Sequence, residues 1–204
     1  MRLRINHTFV LLLTIAAVSA RPALAQGSVQ PAAPAEKPLR SELALDYSYL
    51  HSNAPPAGCG CFNLNGGSAT FAWSIQPGKW DLVGDVVSTH AGNVSAAGYS
   101  LTLSAFTAGV RYLPRFGHSP LQPFGQVLLG LAHSSGTLVQ SPNAEATNAG
   151  AAFAANVGGG LDLGASRRFS IRLLEADYLL TTFDNGSNNH QNNLRINAGV
   201  VVHF

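Results

Sequence analysis

The chain has 204 residues, of which only 11% are charged, and its formal net charge is +2. An ordinary soluble domain has roughly 25% charged residues, so this composition argues against one. Beyond residue 20 no apolar run reaches the ~18 residues that a membrane-spanning helix needs, which excludes a helical membrane protein. The remaining structure that can cross lipid is a closed β-barrel, and the 21 glycines favour many short strands.

The first 25 residues have the pattern of a secretory signal peptide. Arg2 and Arg4 precede an apolar stretch at 9–20, and the Ala-Leu-Ala sequence at 23–25 forms a small-residue cleavage site. Cleavage before Gln26 removes three of the 12 basic residues and leaves nine, against ten acidic residues. The excess positive charge then disappears, so we expect no nucleic-acid partner.

The rest of the chain is predicted to form one barrel domain at 41–204, after a flexible lead-in at 26–40 that is rich in proline and alanine. Eight segments of the domain alternate apolar and polar residues, as half-buried strands do. The predicted strands are Glu42–Leu50, Asn63–Ile75, Trp80–His90, Leu101–Tyr112, Gln122–His133, Ala151–Leu163, Phe169–Thr182 and Leu194–Phe204.

The lengths of the connections predict the orientation of these strands. Long polar segments alternate with the tight turns 76–79 and 165–168 and with an intermediate connection at 113–121. Outer-membrane barrels have long extracellular loops and short periplasmic turns. We therefore expect an eight-stranded antiparallel up-and-down transmembrane β-barrel with both termini on the periplasmic side. The long segments are 51–62, 91–100, 134–150 and 183–193.

The last segment carries the most specific pattern. Val200 and Val202 precede the terminal Phe204 at every second place. This segment resembles the final strand of the outer-membrane β-barrel proteins of Gram-negative-type bacteria, and residues 40–204 are similar to the eight-stranded OmpA-like transmembrane domain. The resemblance implies that the barrel-assembly machinery recognises these three residues, and that the protein resides in the outer membrane. OmpA-like proteins often carry a further peptidoglycan-binding domain, but the sequence stops at Phe204, so we expect no cell-wall anchoring.

Four aromatic residues are predicted to face outward near the periplasmic ends of the strands. They are Trp73, Trp80, Tyr112 and Phe204. Aromatic residues are enriched where a barrel wall meets the membrane–water interface. We expect these four to form an interfacial girdle in contact with outer-membrane lipid.

Charged residues on the inward faces must be paired, because a narrow barrel interior holds little water. Counting residues upward from the periplasmic rim predicts two groups: Arg195 with Glu175 and Asp177, and Arg111 with Asp81 or Asp85. Eight strands leave an interior just wide enough for side chains to fill. We interpret these residues as a structural polar core, and an ion path is the alternative.

Cys59 and Cys61 lie in the first long loop. An oxidising exterior permits a disulfide between them, although a single intervening residue makes a small and strained ring. Free or intermolecular thiols and a metal site stay open as alternatives, but no nearby His-x-His or carboxylate pair supplies further metal ligands. We expect neither a metal nor a cofactor.

One segment has a spacing seen in enzymes. His133, Ser134 and Ser135 match the His-x-Ser spacing of lipid A deacylases, and a nucleophilic serine needs an adjacent base. The surrounding motif of those enzymes is absent, and the segment lies at a junction between strand and loop. We therefore expect no enzymatic activity.

Together these patterns predict a non-enzymatic, monomeric integral outer-membrane protein. Its role would be structural, in envelope integrity, or would lie in contacts between its loops and an extracellular ligand. A small porin-like channel for ions or small solutes is the alternative, and a lipid-modifying outer-membrane enzyme is a more remote one.

Overall fold

The computed structural model describes residues 40–52, 61–92, 94, 100–114, 119–136, 150–183 and 189–204. Within these ranges no helix is long and apolar enough to span a membrane. The predicted signal peptide and residues 26–39 of the predicted lead-in lie outside the described residues. The strands are β1 (Ser41–Ser52), β2 (Phe62–Gln76), β3 (Trp80–Ala91), β4 (Leu101–Tyr112), β5 (Leu121–Gly136), β6 (Ala151–Gly164), β7 (Phe169–Thr181) and β8 (Gln191–His203).

The eight strands form a closed barrel. Each strand pairs antiparallel with its neighbours in sequence, and β1 pairs with β8 to close the sheet. The closing register runs from Glu42 opposite His203 to Ser52 opposite Asn193, so β1 and β8 are paired over almost their whole length. Closure leaves no edge strand with unpaired backbone groups. The predicted eight-stranded antiparallel up-and-down barrel is therefore confirmed.

The two ends of the barrel differ in how the strands are connected. At one end, which we call the turn end, residues 77–79 join β2 to β3 and residues 165–168 join β6 to β7. Gly78 in the first of these turns has a φ of 69°, a conformation that glycine adopts at little steric cost. The backbone N–H of Arg40 donates to the carbonyl of Phe204 there, at 3.2 Å. At the opposite end, the loop end, β1, β3, β5 and β7 finish.

The outward face of the barrel is apolar along most of the strand length. Large hydrophobic side chains are exposed at alternate positions, among them Leu45 at 54%, Phe106 at 56% and Leu131 at 58%. Alternation of this kind places successive side chains of a strand in two different environments. The exposed set also includes Leu43, Tyr47, Phe71, Trp73, Ile75, Trp80, Leu82, Val86, Val110, Tyr112, Val127, Leu129, Phe153, Val157, Leu174, Tyr178, Val200 and Phe204. An apolar outer band is the arrangement expected of a lipid-facing barrel wall.

Side chains fill the interior in two regions. Toward the loop end the buried residues form an apolar cluster, which we call the loop-end cluster. Between this cluster and the turn end lie buried charged side chains and a smaller apolar group of Ala72, Val83 and Leu128. The loop-end cluster consists of Leu50, Leu64, Val87, Ala91, Val94, Leu103, Ala105, Ala132, Ala154 and Leu179.

Strand β7 contains one residue more than its neighbours at one point. Against β6 the pairing jumps from Arg172 to Leu174, and against β8 it jumps from Arg172 to Glu175. This is a β-bulge, in which two residues of one strand oppose one residue of the next. Leu173 and Leu174 are both exposed on the outward face. Arg172 and Glu175 consequently both point into the interior, where they form an ion pair at 2.8 Å.

Unbroken alternation, as predicted from the sequence, does not hold along β7. Counting back in steps of two from Glu175 would place Phe169 in the interior and Arg172 on the outward face. In the structure Phe169 is 54% exposed and Arg172 is 1% exposed. The bulge at Leu173 reverses the facing of the first part of the strand, because a shift of one residue moves every side chain to the other face.

We expect deletion of Leu173 to leave a folded barrel, because Leu174 alone would then separate the inward Arg172 and Glu175. Deletion of Ala176, in the regular part of β7, is the matched control. It should prevent folding, since one flank of the deletion would turn its polar side chains outward. Migration of heated and unheated samples on a gel measures folding. A folded Ala176 deletion together with an unfolded Leu173 deletion would contradict this account of the bulge.

Candidate functional site

Three arginine side chains are buried inside the barrel, between the loop-end cluster and the turn end. Arg111 on β4, Arg172 on β7 and Arg195 on β8 are each at most 1% exposed. All acidic residues that the structure describes point into the same space. We call these acids and arginines the interior charge cluster; the acids are Glu42, Asp46, Asp81, Asp85, Asp162, Glu175 and Asp177.

Arg195 joins opposite walls of the barrel. Its Nη1 lies 2.6 Å from Asp85 Oδ2 on β3, and its Nη2 lies 2.7 Å from Asp177 Oδ2 and 3.2 Å from Glu175 Oε1 on β7. The neighbouring Asn197 also donates to Glu175 Oε1, at 2.8 Å. The structure thus brings Arg195, Glu175 and Asp177 together as the sequence predicts, and adds Asp85, which the sequence grouped with Arg111.

Arg172 is the centre of a second group. Its Nε donates to Asp162 Oδ1 at 3.0 Å and its Nη2 to Asp162 Oδ2 at 3.3 Å, a two-point contact that fits the planar guanidinium. Its Nη1 donates to Asp46 Oδ2 at 3.2 Å and pairs with Glu175. Sequence reasoning missed Arg172, Asp46 and Asp162 as interior partners. The change of phase in β7, where the apolar series 169, 171, 173 continues as 174, 176, 178, is the signal that would have identified Arg172.

Arg111 does not pair with Asp81 or Asp85. Asp81 is its partner in the strand register, but the guanidinium donates to Glu42 Oε1 on β1 and to Gln126 Oε1 on β5, the latter at 3.0 and 3.2 Å. These contacts turn Arg111 across the interior rather than along the β3–β4 ladder. Glu42 and Gln126 are the partners that the sequence did not indicate.

The ring of Phe124 contacts two of the arginines. The Arg111 Cζ atom is 4.2 Å from the ring centroid and the Arg172 Cζ atom is 4.8 Å from it. A guanidinium over an aromatic face is attracted by the ring's quadrupole. Phe124 thereby gives both cations a favourable contact without adding a further carboxylate to the interior.

Two inward glycines make room for this cluster. A Cβ atom at Gly158 would lie 2.1 Å from Asp177 Oδ1, and one at Gly199 would lie 2.4 Å from Asp46 Oδ1. Neither distance is possible between non-bonded atoms. The glycines of β6 and β8 therefore allow carboxylates of the neighbouring strands to occupy the interior.

Within the described residues, Asp81 is the acid of the cluster that forms no ion pair with an arginine. It is 5% exposed, and its Oδ1 has no hydrogen-bond partner in the described structure. It lines a cavity of about 120 Å³ at the turn end together with Glu42 and His203. His203 Nδ1 lies 3.5 Å from Glu42 Oε2, and its Nε2 is 2.8 Å from Ser170 Oγ.

Ser170, His203 and Glu42 contact one another in the order seen in a hydrolytic triad, but their surroundings do not suit catalysis. Ser170 is 7% exposed, and it is not among the residues that line the cavity. A nucleophile must be within reach of its substrate. We read the three residues as hydrogen bonding that ties β7, β8 and β1 together at the rim.

The segment with His-x-Ser spacing lies on β5 near the loop end. His133 and Ser135 are both exposed on the outward face, and Ser134 is half-buried on the other face. Cys61 is exposed just before β2, whereas Cys59 lies outside the described residues, so the predicted disulfide stays a prediction. Among the described residues no group of three or more histidine, cysteine or acidic side chains is arranged to hold a metal ion.

The four residues of the predicted girdle are exposed at the turn end. Trp80 and Tyr112 form a ring pair with centroids 4.9 Å apart, and Phe204 pairs with Phe71 at 6.3 Å. Trp73 is 53% exposed. On the terminal strand, Val200 and Val202 lie opposite Leu45 and Leu43 of β1, so this part of the predicted assembly signal is built into the closing seam.

Comparison with known proteins identifies the fold. No protein-family model matches the chain, and no curated protein matches it. Ail, the attachment invasion locus protein of Yersinia pestis, superposes with a TM-score of 0.56 at 16% identity, covering 82% of this chain and 100% of Ail. Neisserial surface protein A superposes with a TM-score of 0.58 at 18% identity, covering 80% of this chain and 97% of that protein. The chain thus has the fold of small eight-stranded outer-membrane barrels.

We expect Arg195→Met to lower the free energy of unfolding by about 3–5 kcal/mol, because it leaves Asp85 and Asp177 as buried charges without their cation. Adding Asp85→Asn and Asp177→Asn should recover part of this loss by removing those charges. Arg167→Met, at an exposed turn residue, is the control and should change stability by no more than about 0.5 kcal/mol. Urea titration of the refolded barrel measures each value. Equal effects of Arg195→Met and Arg167→Met would contradict the central position of Arg195.

Proposed function

We propose that this protein is a non-enzymatic, monomeric integral outer-membrane barrel that acts as a closed scaffold and presents its loop end at the cell surface. The observation that carries the proposal is the inversion of polarity across the wall. Exposed side chains such as Leu45, Phe106 and Leu131 are apolar, whereas Arg172, Glu175 and Arg195 are buried inside. A protein dissolved in water gains by burying the first set and exposing the second. A lipid-embedded barrel requires the observed arrangement.

The filled interior favours a scaffold over an open pore. Leu50, Leu64 and Leu179 of the loop-end cluster are each at most 1% exposed, and they close the space above the charged residues. Below them, Arg195 crosses the interior from β8 to Asp85 on β3. An ion passing along the axis would have to displace apolar side chains and then break a buried ion pair. Both steps oppose steady conduction.

A small cation channel is the second candidate, and the charge balance of the interior favours it. The described interior holds seven acidic residues and three arginines. The surplus of carboxylates would attract cations, and the unpartnered Asp81 Oδ1 lies at the turn-end cavity. Conduction would require the loop-end cluster to open.

The loops determine what the surface can bind. The segments 51–62, 91–100, 134–150 and 183–193 contain no lysine or arginine. Ail has been solved in complex with the heparin analogue sucrose octasulfate, a polyanion of the kind that cationic side chains recognise. We propose that the extracellular ligand of the present loops is of a different kind, one bound through the amide, hydroxyl and backbone groups of asparagine, serine and glycine.

We expect the refolded chain to give no steady current in a planar lipid bilayer, because its interior is closed. Arg195→Ala, in preparations that keep heat-modifiable migration, should not conduct either, since the loop-end cluster stays in place. Cation-selective current through the unaltered chain would support the channel instead. A severalfold rise in conductance of Arg195→Ala would show that Arg195 acts as a plug.

We expect Leu129→Arg to lower the free energy of unfolding in lipid vesicles by about 2–4 kcal/mol, because Leu129 is 55% exposed near the middle of β5 and would face the bilayer midplane. Ile75→Arg is the matched control. Ile75 is 63% exposed but lies near the turn end of β2, and its replacement should cost no more than about 1 kcal/mol at the interface. Equal costs at the two positions would contradict the proposed membrane placement.

A further inference from the structure

The cationic side chains of the barrel are confined to two places. In the described ranges, lysine and arginine occur either in the interior charge cluster or at the turn end, where Arg40, Lys79, Arg167 and Arg168 are exposed. The acidic residues in those ranges are all interior. Within those ranges, the charged side chains exposed on the outside of the turn end are therefore all cationic.

One of these cations borders a groove. Residues of the β2–β3 turn and the end of β4 line an open cavity of about 340 Å³: Gln76, Pro77, Gly78, Lys79, Tyr112 and Leu113. Backbone hydrogen bonds fix the walls, since Lys79 N–H donates to Gln76 C=O and Leu113 N–H donates to Lys79 C=O, both at 2.9 Å. The groove is thus part of the barrel rim and not of a long loop.

The groove adjoins the apolar outer wall. Trp80 follows Lys79 directly and its ring contacts that of Tyr112 at a tilt of 49°. Leu82 and Val110 continue the exposed apolar surface toward the loop end. A molecule that placed a phosphate near Lys79 could lay hydrocarbon along these side chains. The same site therefore offers a cation, an amide at Gln76, an aromatic pair and an apolar track.

We infer that this groove binds the phosphate-bearing headgroup of an anionic phospholipid in the leaflet at the turn end. The inference rests on the proposed membrane placement. A lysine ammonium attracts phosphate as a compact point charge, and tryptophan and tyrosine occupy the headgroup level of membranes. Charge complementarity selects an anionic headgroup over a zwitterionic one. The acyl chains would then lie against Trp80 and Leu82.

The chain contains a fluorescent residue beside the groove and a pair of cations elsewhere at the turn end that can serve as a control. Its two tryptophans are Trp73 and Trp80, so Trp73→Phe leaves a single fluorophore beside the groove. The pair Arg167 and Arg168 lies in the β6–β7 turn, four strands away around the barrel from the β2–β3 turn. Neutralising that pair removes more charge than neutralising Lys79, but on the opposite side.

The test refolds Trp73→Phe into phosphatidylcholine vesicles that contain a minor fraction of phosphatidylglycerol, with bromine on the acyl chains of one lipid at a time. We expect brominated phosphatidylglycerol to quench Trp80 as strongly as if its local fraction around Trp80 were roughly five times its fraction in the vesicle. A fivefold factor corresponds to about 1 kcal/mol, the attraction of one lysine to an anionic surface. Lys79→Gln should abolish this enrichment. Arg167→Gln with Arg168→Gln should leave it unchanged.

The outcomes separate this site from the proposed function. Quenching by neither lipid would overturn the membrane placement itself. Quenching by both in proportion to their amounts would retain that placement and overturn the headgroup site. Enrichment that survives Lys79→Gln, or that falls equally in the Arg167 and Arg168 variant, would also overturn the site, because the effect would not be local to the groove. Heat-modifiable migration verifies that each variant is folded.

Discussion

The rest of the structure depends on neutralising Arg195, which is fully buried inside the barrel. A buried guanidinium is tolerated only with charged partners in good geometry, and Arg195 has them on two other strands, Asp85 on β3 and Asp177 on β7. β3 and β8 are not neighbours in the sheet. This contact therefore fixes the distance across the barrel, which hydrogen bonding between adjacent strands does not determine by itself.

Several features of the backbone make that contact possible. The bulge at Leu173 lets Arg172 and Glu175 face inward three residues apart, so one carboxylate pairs with both Arg172 and Arg195. Gly158 leaves the volume that Asp177 occupies. Without the bulge, either Arg172 or Glu175 would face outward. A larger residue in place of Gly158 would occupy the volume that Asp177 needs. The irregular positions of the sheet are those that the interior charges require.

The sequence predicts the barrel well because its two faces differ so strongly in polarity. Alternation over eight segments and the short turns determine strand number and pairing, and they determine the facing of the strands except for the first part of β7. The proximity of Arg195 to Glu175 and Asp177 follows from counting along adjacent strands. Contacts between non-adjacent strands do not follow from such counting, because they depend on the radius and stagger of the barrel. For that reason counting groups Arg111 with Asp81 or Asp85, whereas the structure pairs it with Glu42 on β1.

The two ends of the barrel differ in the charge of their exposed side chains. The described acids are all interior, while exposed cations lie at the turn end alone within the same ranges. The interior carboxylates outnumber their arginines, so the cations at the turn end offset a surplus of negative charge held inside the wall. Electrostatic attraction across a low-dielectric wall acts over a longer range than it does in water. The turn end therefore suits a layer of anionic headgroups, whereas the loop segments carry no lysine or arginine and include Glu145 and Asp184, so that they offer neutral and acidic groups for contacts.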